Sequence, residues 1–250
     1  MTDAERCKGG LGTIVTFLVA VVSVLTVLAV FGEEPSGEVS AFFASRKIER
    51  GMIENPNPVC GLEAEAEWFG LHAGVEYCVD MTGSRAGRYN EIAPAAGYSF
   101  APVEWAELDA RYVFKQEVGE HTHELEAEAR FPLPWCVPHV GANVDVGEIP
   151  GAFYGVLGVS SDVVVCDALT LTPEIGMGFG NARRNAEDFD CNRDAARDVH
   201  VGLEADWKIL ENVHLCPFVT VYEQFTKAGR DAHFGNGYYC VAGCAAKVTF

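Results

Sequence analysis

The sequence predicts an all-β fold: a transmembrane up-and-down antiparallel β-barrel of about twelve strands, preceded by a signal peptide. Three observations support this prediction. Apolar and polar side chains alternate along many segments, the connections between segments alternate between short and long, and the chain ends on Phe250. Strict alternation gives a strand one apolar and one polar face. Each segment has about ten residues, the length that a tilted strand needs to cross a bilayer.

Residues 1–32 are predicted to be the signal peptide, and residues 33–250 the barrel. Arg6 and Lys8 precede an uncharged apolar run from Leu11 to Gly32. A short basic start before an apolar core is typical of export signals. The run is also long enough to span a bilayer as a helix, so a retained anchor is the alternative. Either way, the rest of the chain leaves the cytoplasm.

Alternation is clearest from Leu62 to Trp68, where glutamate occupies every second position. Turn residues between such segments delimit twelve predicted strands. These run over roughly 37–47, 59–69, 70–80, 89–100, 105–115, 121–131, 135–146, 151–160, 164–180, 197–209, 212–225 and 236–250.

The predicted connections alternate in length along the chain. Short turns are expected at 69–70, 101–104, 132–134, 161–163 and 210–211, and longer polar loops at 48–58, 81–88, 116–120, 147–150, 181–196 and 226–235. An even number of strands, with short turns at one end and long loops at the other, is the layout of an outer-membrane barrel. The expected location is therefore the bacterial outer membrane, with the long loops outside the cell.

The apolar faces are predicted to point outward into lipid. Hydrocarbon offers no hydrogen-bond partners, so a sheet in the membrane must close on itself. Val248, Ala246 and Cys244 occupy alternate positions before Phe250, and this ending resembles the terminal assembly signal of outer-membrane barrels. Aromatic residues near the predicted short turns suggest a ring at the membrane interface; they are Trp68, Phe69, Phe100, Trp105, Phe131, Trp135 and Trp207. Hydrophobic plugs of a soluble barrel are the alternative.

Four prolines fall inside predicted strands, where each removes a ladder hydrogen bond, so bulges or strand ends are expected there. They are Pro94, Pro138, Pro173 and Pro217. Eight of the nine cysteines lie beyond residue 32, in a part of the chain that meets an oxidising compartment. Their spacing shows no disulfide framework, so we expect most of them to pack as small apolar side chains, with one or two bridges left open.

Two segments carry a family resemblance. Ser45–Met52 (SRKIERGM) is followed by Asn55–Pro58 (NPNP) and a glycine-containing strand pair, and Tyr89–Phe100 reads YNEIAPAAGYSF. These segments resemble the Gcw_chp family of small exported bacterial proteins of unknown function. The resemblance covers roughly the first half of the mature chain and the terminal phenylalanine. It implies export and a barrel fold, and it brings no activity with it.

The sequence does not predict an enzyme, because it has neither a GxSxG motif nor a serine beside a histidine at strand spacing. Gly176, Gly178 and Gly180 recur at period two within a strand, which suggests a smooth barrel wall rather than a phosphate loop. His121 and His123 share a strand face and could bind a metal. No third ligand can be named, so no metal site and no cofactor is predicted.

Acidic residues dominate the polar faces, and the net charge of −18 opposes binding to nucleic acid or to anionic lipid surfaces. Facing lipid, each would cost several kcal/mol, so they are predicted to line the lumen. The predicted lumen-lining residues are Glu63, Glu65, Glu67, Glu76, Asp109, Arg111, Glu124, Glu126, Glu128, Arg130, Glu174, Glu204 and Asp206.

A barrel of about twelve strands is wider than the eight-stranded size that side chains just fill. Rows of carboxylates attract cations and repel anions. The predicted function is therefore porin-like passive transport of small solutes, with a preference for cations. The alternative is a non-conducting barrel, filled by Arg–Glu pairs, whose long loops, above all 181–196, present a binding surface. The expected partners are outer-membrane lipid outside the barrel and small solutes or cations inside it.

Overall fold

The computed structural model describes residues 35–82, 90–117, 120–232 and 237–250. The predicted signal peptide lies outside the described residues. Within them, no helix has the length and apolar character needed to cross a membrane.

Long antiparallel strands make up most of the described chain. In chain order they are β1 (Ser36–Ala44), β2 (Lys47–Glu49), β3 (Met52–Asn55), β4 (Val59–Trp68), β5 (Leu71–Asp80), β6 (Asn90–Val103), β7 (Ala106–Glu117), β8 (Glu120–Arg130), β9 (Val137–Asp145), β10 (Phe153–Ser160), β11 (Val163–Cys166), β12 (Leu169–Gly180), β13 (Ala195–Leu210), β14 (Val213–Gln224) and β15 (Tyr238–Thr249). Two short helices follow β12 and β14: α1 (Ala182–Phe189) and α2 (Lys227–Ala232).

Twelve of these strands close into a barrel, as predicted. Their order is β1-β4-β5-β6-β7-β8-β9-β10-β12-β13-β14-β15, and β1 pairs with β4 on one side and with β15 on the other. The pairing of β10 with β12 completes the ring. Every neighbouring pair in the ring is antiparallel. Because the ring of twelve strands is closed, its paired strands satisfy each other's backbone polar groups, and of the described strands of this sheet only the short β11 has a single neighbour.

One predicted turn is misplaced. The chain reverses at residues 167–168, between β11 and β12, and not at 161–163, so the predicted strand 164–180 is wrong at its start. Val163–Cys166 instead continues the line of β10 beyond a break at residues 161–162. The reason is local: the run Val-Val-Val-Cys has no alternation, so it gives no sign of the direction of the chain.

The barrel is apolar outside and polar inside. Large apolar side chains on alternate positions are exposed, for example Leu125, Val201 and Val221, whereas Glu124 and Asp198 on the opposite faces are fully buried. This arrangement is the reverse of a soluble barrel, and it fits a surface surrounded by lipid.

Aromatic side chains gather at the short-turn end of the barrel. Trp105 and Trp135 are 61% and 75% exposed, and the Trp105 ring stacks on Phe131 with centroids 6.5 Å apart. The first and last strands of the barrel, β1 and β15, meet at the same rim, where the Gly37 amide donates to the Phe250 carbonyl at 3.0 Å. An aromatic ring at one rim is typical of barrels anchored at a membrane interface.

All four prolines lie within strands, and the expected strand end or irregularity is found at two of them: Pro138 is the second residue of β9, and Pro173 lies opposite the break at residues 161–162. The other two stay in register. Pro94 remains paired with Val75 on β5, and Pro217 with Cys244 on β15. On their other sides, the described pairs of β6 with β7 and of β13 with β14 skip these positions. Successive amides of an antiparallel strand point to opposite neighbours, so each of these two prolines interrupts only one of its two ladders.

The eight cysteines within the described residues are all free thiols. Cys78 and Cys216 are buried on the inner wall and pack as small apolar side chains.

Candidate functional site

The structure brings the predicted acidic residues together on the inner wall of the barrel. Near the short-turn end, a cavity of about 580 Å³ is lined by Glu65, Glu67, Asp109, Arg111, Glu128 and Arg130. A second cavity, of about 470 Å³, is lined by Glu63, Glu76 and Glu204. A third, of about 450 Å³, is lined by Glu126 and Glu174. The two remaining predicted residues are Glu124, which is fully buried beneath the long loops, and Asp206, which lies 2.5 Å from His214.

Bases neutralise only part of this acidic wall. Arg111 Nε donates to Glu126 at 2.6 Å, and Arg130 lies 3.9 Å from Glu128. Among the described residues, Glu65 and Glu67 form no ion pair with a base. The short-turn end of the lumen therefore carries unpaired carboxylates. Carboxylate rows of this kind raise the local concentration of cations.

A hairpin inside the lumen is the main feature that the sequence did not predict. The loop after β1, expected to be irregular, forms β2 and β3 and folds into the barrel from the long-loop end. Its two tip residues, Arg50 and Gly51, have φ of 49° and 68°. Positive φ at both central positions is the geometry of the tight turn that matches strand twist. The glycine at 51 was the available sequence signal.

The hairpin tip reaches across the lumen. Arg50 Nη1 donates to Glu124 of β8 at 2.5 Å. On the other side, the Gly51 carbonyl accepts hydrogen bonds from Gln224 Nε2 of β14, at 2.5 Å, and from the Tyr239 hydroxyl of β15. β8 is the fifth strand from β1 in one direction around the barrel, and β14 is the second in the other direction. The tip therefore bridges opposite walls and constricts the lumen.

A network of buried charges holds the hairpin in place. It contains three bases and four carboxyl groups: Lys47, Arg50, Lys115, Glu49, Glu54, Glu91 and Glu124. Lys47 Nζ lies 3.0 Å from Glu54 and also pairs with Glu91, while Lys115 pairs with Glu49. The close group of Glu49, Glu54 and Glu91 therefore already has an ammonium ion among its carboxyl oxygens.

One carboxyl group of this network resists ionisation. Burial, together with the neighbouring Glu49 carboxylate, raises the pKa of Glu54 well above its usual value. Burial also opposes ionisation of Glu49, but the charges of Lys115, Arg50 and Lys47 outweigh it and hold the pKa of Glu49 well below its usual value.

One edge of the hairpin is apolar. Ile48 packs against a cluster on the inner wall formed by Ala44, Val59, Cys78 and Val241. Phe42, Phe218 and Tyr222 pack against the same cluster. The hairpin is thus fixed by ion pairs on one side and by apolar contacts on the other.

The predicted loop 181–196 contains α1 and lies against the barrel. Asn181 caps the helix by accepting the Arg184 amide at 3.0 Å. Arg197, fully buried at the start of β13, pairs with Asp188 at 2.5 Å and lies 4.3 Å from the Phe189 ring centroid. These contacts anchor the loop beside the hairpin tip.

His121 and His123, considered above as metal ligands, lie among outward-facing aromatic residues. Their rings are 5.6 Å apart, both contact Phe114, and His123 Nδ1 is bonded to the Tyr112 hydroxyl. The structure brings no carboxylate of the described chain into this group to complete a metal site.

Comparison with known proteins gives a fold but no family. No family model and no curated protein matches the sequence. Among solved structures, a KdgM porin in complex with disordered oligogalacturonate superposes with a TM-score of 0.55 at 8% identity, covering 86% of this chain and 99% of that one. A NanC porin gives a TM-score of 0.50 at 7% identity, covering 86% and 98%. The chain is therefore a closed twelve-stranded antiparallel β-barrel with the fold of these porins.

Proposed function

We propose that the protein is a passive channel of the outer membrane for small solutes, with a lumen that favours cations. The observation that supports this proposal is the excess of carboxylates over basic side chains on the inner wall. This excess is greatest in the cavity near the short-turn end, beside Glu65 and Glu67. Carboxylates facing a confined aqueous path raise the concentration of cations and lower that of anions.

The charge of the lumen also argues for a solute class different from that of the matched porin. The KdgM structure contains oligogalacturonate, which is a polyanion. An acidic wall repels such a ligand, so we infer that the shared fold carries a different selectivity in this chain.

The hairpin sets the size limit in this proposal. It separates the cavity of about 470 Å³ that contains Ile48 and Phe218 from the space beside Arg50 and Glu126. A solute crossing the barrel must pass the hairpin, so small ions and small organic cations are the expected solutes.

Single-channel recording in a planar bilayer tests this function. With a tenfold KCl gradient, we expect a reversal potential that corresponds to a cation-to-anion permeability ratio above one. A conducting barrel with a ratio at or below one would contradict the cation preference and leave the channel itself standing. Faster gel migration of the unboiled protein would establish that each preparation is folded.

The second candidate is a non-conducting barrel whose loops bind a partner outside the cell. The observation that favours it is the hairpin itself, because the hairpin bridges opposite walls and its charges are paired. Absence of conductance in every preparation, together with loss of partner binding on shortening loop 181–196, would support this candidate.

Two expectations about the chain remain proposals. We infer from the residues quoted above that the protein is similar to the Gcw_chp family and that residues 1–32 act as a cleaved export signal. Mass analysis of the outer-membrane form measures the second directly: a chain that retains residue 1 would contradict cleavage. No catalytic role is proposed.

A further inference from the structure

One strand of the barrel sheet has a free edge at the short-turn end. β11 (Val163–Cys166) pairs with β12 on one side, and among the described residues no strand pairs with its other side. On that side β9 begins at Val137, which is paired with Ser160 of β10, and the turn before β9 reaches only as far as Ser161, whose hydroxyl donates to the Trp135 carbonyl at 2.9 Å. β11 therefore extends past this part of the rim, and the backbone N–H and C=O groups of its outer edge have no strand to pair with.

Both faces of β11 are apolar and exposed. Val163, Val164 and Val165 are 48%, 71% and 54% exposed, and Cys166 is exposed as well. Successive side chains of a strand point to opposite faces, so exposed valines lie on both faces. A strand that separates lipid from the lumen has apolar residues on one face and polar residues on the other. β11 does not have this pattern.

Lipid alone cannot cover this edge. Hydrocarbon offers no hydrogen-bond partner to free N–H and C=O groups. An added β-strand provides those partners through its backbone, and its alternate side chains cover the apolar surface. The occupant that fits the edge is therefore an extended peptide segment.

Acidic residues surround the edge. Asp162 and Asp167 are exposed at the two ends of β11. The nearby turn between β13 and β14 adds the exposed Glu211, and Lys208 beside it supplies one positive charge. The amide of Lys208 donates to the Ala168 carbonyl at 2.9 Å, which joins this turn to the end of β11. The surplus of negative charge opposes contact with anionic lipid and favours a strand that carries basic residues at its ends.

A second copy of this chain fits the edge less well. If two β11 strands paired antiparallel over their four residues, Asp162 of each copy would lie opposite Asp167 of the other. Like charges directly opposite each other on neighbouring strands are destabilising. Charge complementarity therefore favours a different, basic partner.

We propose that β11 is the docking edge for an extended segment of a partner protein, in which β-branched apolar residues lie between lysine or arginine residues. The segment adds one strand to the sheet beyond the barrel rim. With the long loops outside the cell, as the sequence predicts, this edge lies on the periplasmic side. The proposal goes beyond the channel function and holds even for a barrel that does not conduct.

Fluorescence anisotropy of a labelled peptide tests the proposal on the protein purified from outer membranes in detergent. The probe has alternating valine and threonine residues between paired lysines. We expect it to bind, and we expect no binding when aspartates replace its lysines or when its central amides are N-methylated. The methylated peptide keeps its charge, so it separates strand pairing from simple attraction to the acidic lumen.

Two variants with an added lysine provide the matched comparison. V164K should weaken binding of the probe by about tenfold or more, because a lysine blunts a strand edge and repels the basic peptide. V103K places the same charge on an exposed valine near the turn between β6 and β7, and it should bind like the wild type. Gel migration of unboiled samples checks that each variant folds.

Three results would overturn the proposal. The first is no binding of the basic probe, and the second is equal binding of its N-methylated form. The third is a wild-type dimer in sedimentation that V164K dissociates, since a second copy would then cover the edge. Conductance is not used, so failure of the docking edge and failure of the channel remain distinguishable.

Discussion

Replacing Arg50 by alanine should release the hairpin from the lumen wall. Arg50 pairs with Glu124, whose side chain is 1% exposed. Removing one partner of a buried ion pair costs about 3–5 kcal/mol, because it leaves an uncompensated buried charge. Glu124 keeps Lys115 at 3.2 Å and Asn143 at 2.6 Å, so we expect the lower end of this range. About 3 kcal/mol corresponds to about a 100-fold shift in the ratio of docked to undocked hairpin.

Hydrogen exchange of the peptide covering residues 46–57 measures this shift. A two-stranded hairpin has little stability of its own, so undocking exposes its amides. The matched control is R111A, which removes an arginine from a lumen pair whose side chains are 44% and 22% exposed. Such a pair contributes at most about 1 kcal/mol, or about fivefold in the same ratio. Equal exchange of this peptide in R50A and R111A would refute the reasoning.

Three further predictions concern the hairpin and the wall. Gly51→Ala should also increase hydrogen exchange over residues 46–57, because Gly51 has a φ of 68° and an added Cβ would overlap the buried Asp198 carboxylate. Exchange at the wild-type rate would contradict this. The pKa of Glu54 is raised in the folded state, so its contribution to docking is present at low pH and is lost as pH rises through that pKa. Protection factors of the hairpin should therefore fall in the wild type as the pH rises above the usual range of a glutamate pKa, and E54Q should abolish that fall. E65Q/E67Q should lower the cation-to-anion permeability ratio measured from reversal potentials, whereas E148Q, in an exposed loop, should leave it unchanged.

The barrel could be predicted because its main determinant is local. In a segment such as Leu62–Trp68, each glutamate is two residues from the next, and this period separates a polar face from an apolar one. The predicted export signal and the ending at Phe250 then indicated that the apolar face points to lipid. The same alternation correctly places Leu125 on the exposed outer face and Glu124 on the buried inner face. Where alternation is absent, as in Val163–Cys166, the predicted turn was misplaced.

The hairpin and the pairing of two histidines with Glu174 depend on contacts that a local pattern does not contain. The hairpin strand Lys47–Glu49 has only three residues, and its position is fixed by charges on distant strands such as Lys115 and Glu124. His139, Gly158, Gly176 and His200 form one row across the wall only because four strands pair in one register. A one-residue slip of any of these strands would turn a member of the row to the lipid face.

The central claim is that the lumen is a cation path constricted by the hairpin, and one comparison tests it most directly. Residues 46–57 would be replaced by a short Gly-Ser turn, and single-channel conductance and reversal potential would be recorded beside the wild type in the same bilayer. We predict several-fold larger conductance with a cation-to-anion permeability ratio still above one, because the hairpin blocks space while the carboxylates stay on the wall. A folded variant that does not conduct would contradict this claim and support the non-conducting barrel.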